Sequence, residues 1–501
     1  MSGRAICADG SAGLDGRVPR YRSSQAYALS ERAGRWLSSV VVAFFTRVDR
    51  TVPDSLAGRA ASSVVGAWLK AAAESVFVRA FRPVARMAFA PHGVPVTVDT
   101  ALGLAVAVAC VAPTEIVFAV GAGALALFLW DRTKHAGDNG KLWAYPGFGS
   151  VMAVFAVFLF LVGSTVSSVD PARSLYNLVI WCFYLLFFFL AADSSLRGRA
   201  ENMVWPFLTG ATLAGLVGIY QKLTGWRPAK SWLDKTFEDE IVRMVGTFSN
   251  PTFFAEMLGL ALPLTLALLL RNKDWRDRLI LMGFAAVQGL AMVLTYSRGA
   301  WLGLIVSFCV VAVLYERRLL LLGMALAVVV FAVAPDVLLG RLVSSFSLTD
   351  SSNNYRLFIW RGSIAMMKAN LIRGVGLGAE SFSKVYPEYM IVQTPAPHAH
   401  STYMEVLIET GLFGFLAMAW FFVTWAFDSL RAVFSGKGPG SSRWAEIGIL
   451  AGVVGAVGGH MLQGVIEYTW YSPRVTIVFW ALAGMGAGLA ATKRSAEVGV
   501  Q

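Results

Sequence analysis

Residues 397–426 read PHAHSTYMEVLIETGLFGFLAMAWFFVTWA. From Ser401 onward the stretch holds no Lys or Arg and exceeds the ~18 apolar residues that mark a membrane-spanning helix. His400 stands at its head, with His398 two residues earlier. An ionisable ring at the mouth of a span is costly to place there. Imidazole also takes up and releases protons near neutral pH. Function therefore turns on what His400 faces.

The same apolar texture runs through most of the 501 residues. The chain is 56% apolar and 15% charged, with a mean hydropathy of +0.60; a soluble domain carries roughly 25% charged residues. The apolar runs are continuous rather than alternating, which excludes a β-barrel. The expected fold is all-α, a polytopic membrane protein of about 12 transmembrane helices. Their predicted positions are about 101–112, 114–130, 147–164, 174–192, 203–221, 252–270, 278–296, 299–315, 319–335, 401–426, 446–466 and 475–492. No internal repeat stands out, which weighs against an inverted-repeat transporter.

Residues 1–98 precede these spans as a basic extension with 13 Lys/Arg against 6 Asp/Glu, either a cytoplasmic segment or helices lying on an anionic membrane surface. The domain reading is thus extension 1–98, transmembrane domain 99–492 and cytoplasmic tail 493–501. The polar start of the chain lacks the apolar core of a signal peptide. The net charge of +12 sits in short loops beside spans, so it points to lipid headgroups and not to nucleic acid. The four cysteines, Cys7, Cys110, Cys182 and Cys309, make no disulfide framework or metal spacing.

Orientation follows from the short loops. With the N-terminus inside, inner loops hold sixteen positive residues, among them Lys141, Arg271, Arg317, Lys437 and Arg443, while short outer loops hold only Arg173, Arg298 and Arg474. Positive charge stays on the cytoplasmic side, so both termini are expected there. Two outer segments are long, about 222–251 and 336–400, and loops of that length are commonly functional. The second contains a predicted amphipathic helix at 354–369, with Leu357, Trp360, Ile364 and Met367 at helical spacing. It then turns through Arg373-Gly374-Val375-Gly376-Leu377-Gly378.

This topology gathers His400, Arg243, Arg298 and Glu467 at outer span boundaries. Arg298 is the single charge in the tight hairpin Thr295-Tyr296-Ser297-Arg298-Gly299. A guanidinium suits phosphate oxygens in a bidentate way; the plainer alternative is an arginine snorkelling to headgroups. Arg243 precedes a span in Arg243-Met244-Val245-Gly246-Thr247-Phe248-Ser249-Asn250-Pro251. His400 is read as starting a helix capped by Ser401 or Thr402. A helix N-terminus favours the neutral ring, the form that a general base needs. A structural histidine bonded to backbone is the alternative. His398, Arg356 and Glu467 are candidate substrate-binding residues beside Arg243 and Arg298. A His-x-His pair alone is a weak zinc signal, so no metal site is assigned. Glu405 and Glu409, one turn apart, are expected to lock their helix to its neighbours. His460, Gln463 and Glu467 at i, i+3 and i+7 are read as one polar stripe, from which Glu467 is placed to orient or polarise His400 or to pair with an arginine.

These residues carry a resemblance. His400-Ser401, nine residues, Gly411, two residues and Gly414 resemble the signature of the O-antigen ligase family. Arg243 followed by Gly246-Thr247-Phe248-Ser249-Asn250-Pro251 looks like that family's approach to a span, and Ser297-Arg298-Gly299 like its hairpin. Ser168-Val169-Asp170-Pro171 and Gly218-Ile219-Tyr220-Gln221 also match its habits. The resemblance covers about 101–492, and Glu467 stands where the family has an aspartate. It implies an all-helical membrane glycosyltransferase, without metal or nucleotide cofactor. Such an enzyme moves a glycan from undecaprenyl diphosphate to a hydroxyl of a lipid-linked sugar, glycan or protein at the outer face of the plasma membrane. His400 would act as general base, and Arg298 and Arg243 would stabilise the leaving diphosphate. O-antigen polymerases and protein O-oligosaccharyltransferases share this chemistry and differ in acceptor. A solute transporter is the reading from another class; it would use Glu256, His460 and Gln463.

Overall fold

The computed structural model describes residues 99–139, 148–226, 233–234, 241–321, 323–324, 351–435 and 444–498. The extension 1–98, the loop residues Lys141, Lys437 and Arg443, the first part of the 336–400 loop and most of the predicted span 319–335 lie outside them.

The described chain is helical almost throughout. Its apolar helices are α1 (Asp99–Val111), α2 (Thr114–Asn139), α3 (Phe148–Val166), α4 (Pro171–Leu196), α5 (Glu201–Leu223), α6 (Pro251–Arg271), α7 (Trp275–Leu294) and α8 (Arg298–Leu314). Between α5 and α6, Leu233–Asp234 and Ile241–Val242 form a two-strand antiparallel ribbon. The 336–400 loop supplies α9 (Ser351–Ala369) and α10 (Ala379–Val385), and α11 (Thr402–Phe434), α12 (Trp444–Gln463) and α13 (Pro473–Val498) complete the bundle. Among the described residues, seven helices are long and apolar enough to cross a bilayer: α4, α5, α6, α7, α11, α12 and α13. Four more, within α1, α2, α3 and α8, are apolar but shorter. Helices suit this environment because each satisfies its own backbone where no water can.

Packing follows side-chain size. Gly303 and Ser307 on α8 meet Gly455 and Gly459 on α12, two small pairs four residues apart, and a methyl on Gly459 would collide with the Gly303 carbonyl. Small residues let helices approach where lipid supplies no hydrophobic drive. α13 is the most enclosed span and α7 the least. Trp480 of α13 sits in an aromatic cluster with Trp181, Phe188, Phe421 and Trp470. Trp470 belongs to the turn between α12 and α13, so this cluster fixes that turn to the core.

α11 is broken. Gly411 has φ 70° and ψ −177°, a conformation open to glycine and strained for other residues. The segment 371–376 fills the break. Val375 and Gly376 donate to the Ile408 and Glu409 carbonyls at 2.8 and 3.2 Å, and the Leu412 N–H donates to Leu371 O at 2.7 Å. The same segment docks on the turn before α4. Val169 N–H donates to Val375 O at 3.0 Å, Ser174 Oγ to Leu377 O at 2.8 Å, and Lys384 pairs with Asp170 at 2.7 Å.

The predicted helix 354–369 forms as part of α9, with its burial rotated. Ile359, Gly362, Ser363 and Met366 are buried, while Leu357, Trp360, Ile364 and Met367 are half-buried beside them. The cause is Gly362, whose bare backbone lies against Tyr386 and Tyr389.

Candidate active site

Glu467 is the hub. α12 ends at Gln463, so the expected stripe of His460, Gln463 and Glu467 on one helix does not form; Glu467 lies in the turn that follows. Thr402, the first residue of α11, holds that turn. Its N–H donates to the Gly464 and Glu467 carbonyls at 2.8 and 3.1 Å, and its hydroxyl donates to Glu467 O at 3.0 Å. The Thr469 N–H donates back to the Thr402 hydroxyl at 3.0 Å. The Glu467 carboxylate is thereby aimed at two groups. Oε1 accepts from Arg356 Nη2 of α9, and Oε2 lies 3.6 Å from His400 Nδ1. Burial raises the Glu467 carboxyl, but the Arg356 guanidinium and the imidazoles outweigh it and bring it down to about 2.

His400 stands one residue outside α11 instead of starting it, because Ser401 is the cap and accepts the Met404 N–H. It has φ 49°, left-handed for a non-glycine residue. Its side chain is 21% exposed, so the ring is sheltered yet reachable. The Tyr355 ring meets it edge-on at 6.0 Å. His398 lies beneath, its ring centre 4.3 Å from that of His400 and packed on Tyr468 and Tyr471. Burial and the neighbouring His400 lower the His398 imidazole to about 3, so it is neutral at working pH. His398 Nδ1 accepts the His400 N–H at 3.2 Å.

The Arg243 loop is bonded to the neighbouring hairpin that carries Arg298. Arg243 Nε donates to Thr295 O at 2.9 Å, and Met244 N–H donates to Leu294 O at 3.0 Å. Arg298 opens α8 three residues after Thr295. Gly299 packs on Ile466, next to Glu467, so the hairpin abuts the turn that carries the hub. The Arg243 loop is clamped from beneath by Gln221, whose amide both donates to Gly246 O at 2.8 Å and accepts Gly246 N–H at 2.9 Å.

All six sequence candidates thus fall on adjoining segments at one end of the bundle. Arg356 is engaged by Glu467, a partner 111 residues away, which no local pattern reveals. Tyr355 and Arg474 were not singled out as site residues. Arg474 is buried, donates to Ala109 O and Thr247 O at 2.9 Å each, and lies 3.8 Å over the Phe248 ring. Nothing in its sequence neighbourhood distinguishes it from an exposed loop arginine.

The fold and site define a multi-pass helical membrane protein with a histidine–carboxylate–arginine constellation at one end of its bundle. Residues 283–419, which include Arg298, Arg356, His398 and His400, match the family model described as O-Antigen ligase. A stretch of 119 residues, 23% of the chain, is 29% identical to the "Exopolysaccharide production protein ExoQ" of Rhizobium meliloti (strain 1021). The matched stretch spans 26% of that relative. Both findings support the O-antigen ligase family, the one that the motifs resemble.

Proposed function

We propose that this protein is a metal-independent, inverting glycosyltransferase of the plasma membrane. It takes a glycan from an undecaprenyl-diphosphate carrier and joins it to an acceptor hydroxyl on the outer side, with both chain termini in the cytoplasm. The observation that carries this reading is His400 beside Glu467, on a turn that abuts the hairpin bearing Arg298, to which the Arg243 loop is bonded. His400 removes the acceptor proton as the hydroxyl oxygen attacks the anomeric carbon. Glu467 orients the ring and offsets the imidazolium that forms. The departing diphosphate gathers negative charge, and fixed guanidiniums stabilise it where it develops. Arg356 holds Glu467 in register from the outer loop, and His398 packs beneath the ring.

Within this chemistry, the likeness to an exopolysaccharide production protein favours exopolysaccharide assembly. The deciding assay incubates purified protein with a lipid-diphosphate glycan and three acceptor classes: lipid-linked sugar, free glycan and protein. His400→Ala and Arg298→Ala are each expected to lower transfer at least a hundredfold. Full transfer by His400→Ala would remove the general base, and solute flux into vesicles without any transfer would replace the enzyme with a permease.

A further inference from the structure

The strained backbone of His400 needs an explanation. A left-handed non-glycine residue costs on the order of 1–3 kcal/mol and persists only where its surroundings over-determine it. Three consecutive restraints do so here. Thr402 N–H is held by the Gly464 and Glu467 carbonyls, His400 N–H by His398 Nδ1, and Ala399 N–H by Glu405 Oε2 at 2.6 Å. Glu405 lies one turn inside α11, is fully buried, and reaches back over the cap to the residue preceding His400. Its other oxygen, Oε1, has no hydrogen-bond partner. A buried carboxyl left half-satisfied is costly, and locking α11 to its neighbours does not require it, because its one hydrogen bond goes to its own loop.

We infer that Glu405 is a positioning residue for His400: its carboxyl fixes the Ala399 amide and so sets the direction in which the His400 ring points. The catalytic consequence rests on the glycosyltransferase reading; the structural one does not. Misplacing a reacting group by about 1 Å can cost on the order of a hundredfold in rate.

The experiment compares full-length Glu405→Leu, Glu405→Gln and Glu405→Asp in detergent or nanodiscs. Amide hydrogen exchange over 398–401 reads the clamp, exchange over 412–434 reads the fold, and steady-state transfer reads the chemistry. Glu405→Leu is expected to speed exchange at 398–401 at least tenfold with 412–434 unchanged, and to lower kcat at least tenfold with KM within about twofold. Glu405→Gln, whose amide oxygen accepts the same N–H, should return exchange and kcat to within about threefold of wild type. Should Leu unfold the chain, Asp decides: it keeps the carboxyl but cannot reach the amide, so it should show the exchange and kcat losses. Wild-type exchange in the Leu or Asp variant, fast exchange with undiminished transfer, or a Gln variant as impaired as Leu would each overturn the assignment. If wild-type protein transfers no glycan, the glycosyltransferase reading fails, and the exchange result alone decides the clamp.

Discussion

His398 shows how burial assigns a role to one ring and not to its neighbour. It is held neutral down to about pH 3, against 6.5 for an ordinary histidine. Between those values the unfolded chain binds a proton that the folded chain refuses, so stability falls as pH falls. At pH 5, about 1.5 pH units below 6.5, the loss is at most about 2 kcal/mol, at about 1.4 kcal/mol per unit. Glu467 acts in the same direction lower down: its contribution is whole above about 4.5 and is lost as pH falls toward about 2. His398→Gln should therefore soften the drop in melting temperature between pH 7.5 and 5, and an unchanged drop would contradict the assignment. Arg474 makes a second prediction. Arg474→Leu strands the Ala109 and Thr247 carbonyls and frees the loop that carries Arg243. A loss of about 3 kcal/mol is expected, read as a lower melting temperature.

Among the elements, α11 decides the geometry. A continuous helix would leave 371–376 without partners; the break at Gly411 exposes carbonyls that this segment takes up. That accounts for the first glycine of the His400–Gly414 signature. The second, Gly414, lies directly beneath Thr410 and beside Phe160 of α3. Gly411→Ala should cost about 2–4 kcal/mol, since its new methyl would strike the Ile372 carbonyl while φ stays unfavourable. The check is faster proteolysis or amide exchange at 371–376; wild-type protection there would show that the break tolerates a side chain. α9 is tied to the bundle through the Arg356–Glu467 ion pair, which joins the 336–400 loop to the turn that carries Glu467.

For the whole molecule, the prediction concerns sidedness. Val392, 71% exposed on the 336–400 loop, and Ser435, exposed just past the far end of α11, lie at opposite ends of that helix. In a background without native cysteines, an impermeant maleimide applied to intact cells should label Val392→Cys and spare Ser435→Cys. The reverse pattern would invert the proposed orientation and place His400 in the cytoplasm.

Span chemistry was legible without a structure because it is a property of local composition: continuous apolar runs must be helices in a bilayer, and their positions agree with α4 to α8 and α12 within a few residues, while α11 and α13 run six to eight residues past their predicted ends. The candidates His400, Arg298, Arg243 and Glu467 were legible too, since an isolated charge at a span boundary is costly enough to stand out. What faces what was legible only as open alternatives. Glu467 was read as orienting His400 or pairing with an arginine; it does both, from a turn beyond the helical stripe it was assigned to, with partners 67 and 111 residues away in sequence. The clamp on Ala399, the Arg474 anchor and the filled break at Gly411 are hydrogen bonds whose partners the local residue pattern does not reveal. Hydrophobicity is additive along a chain and can be read from it. Hydrogen-bond partnership depends on direction and distance, and only the folded bundle supplies those.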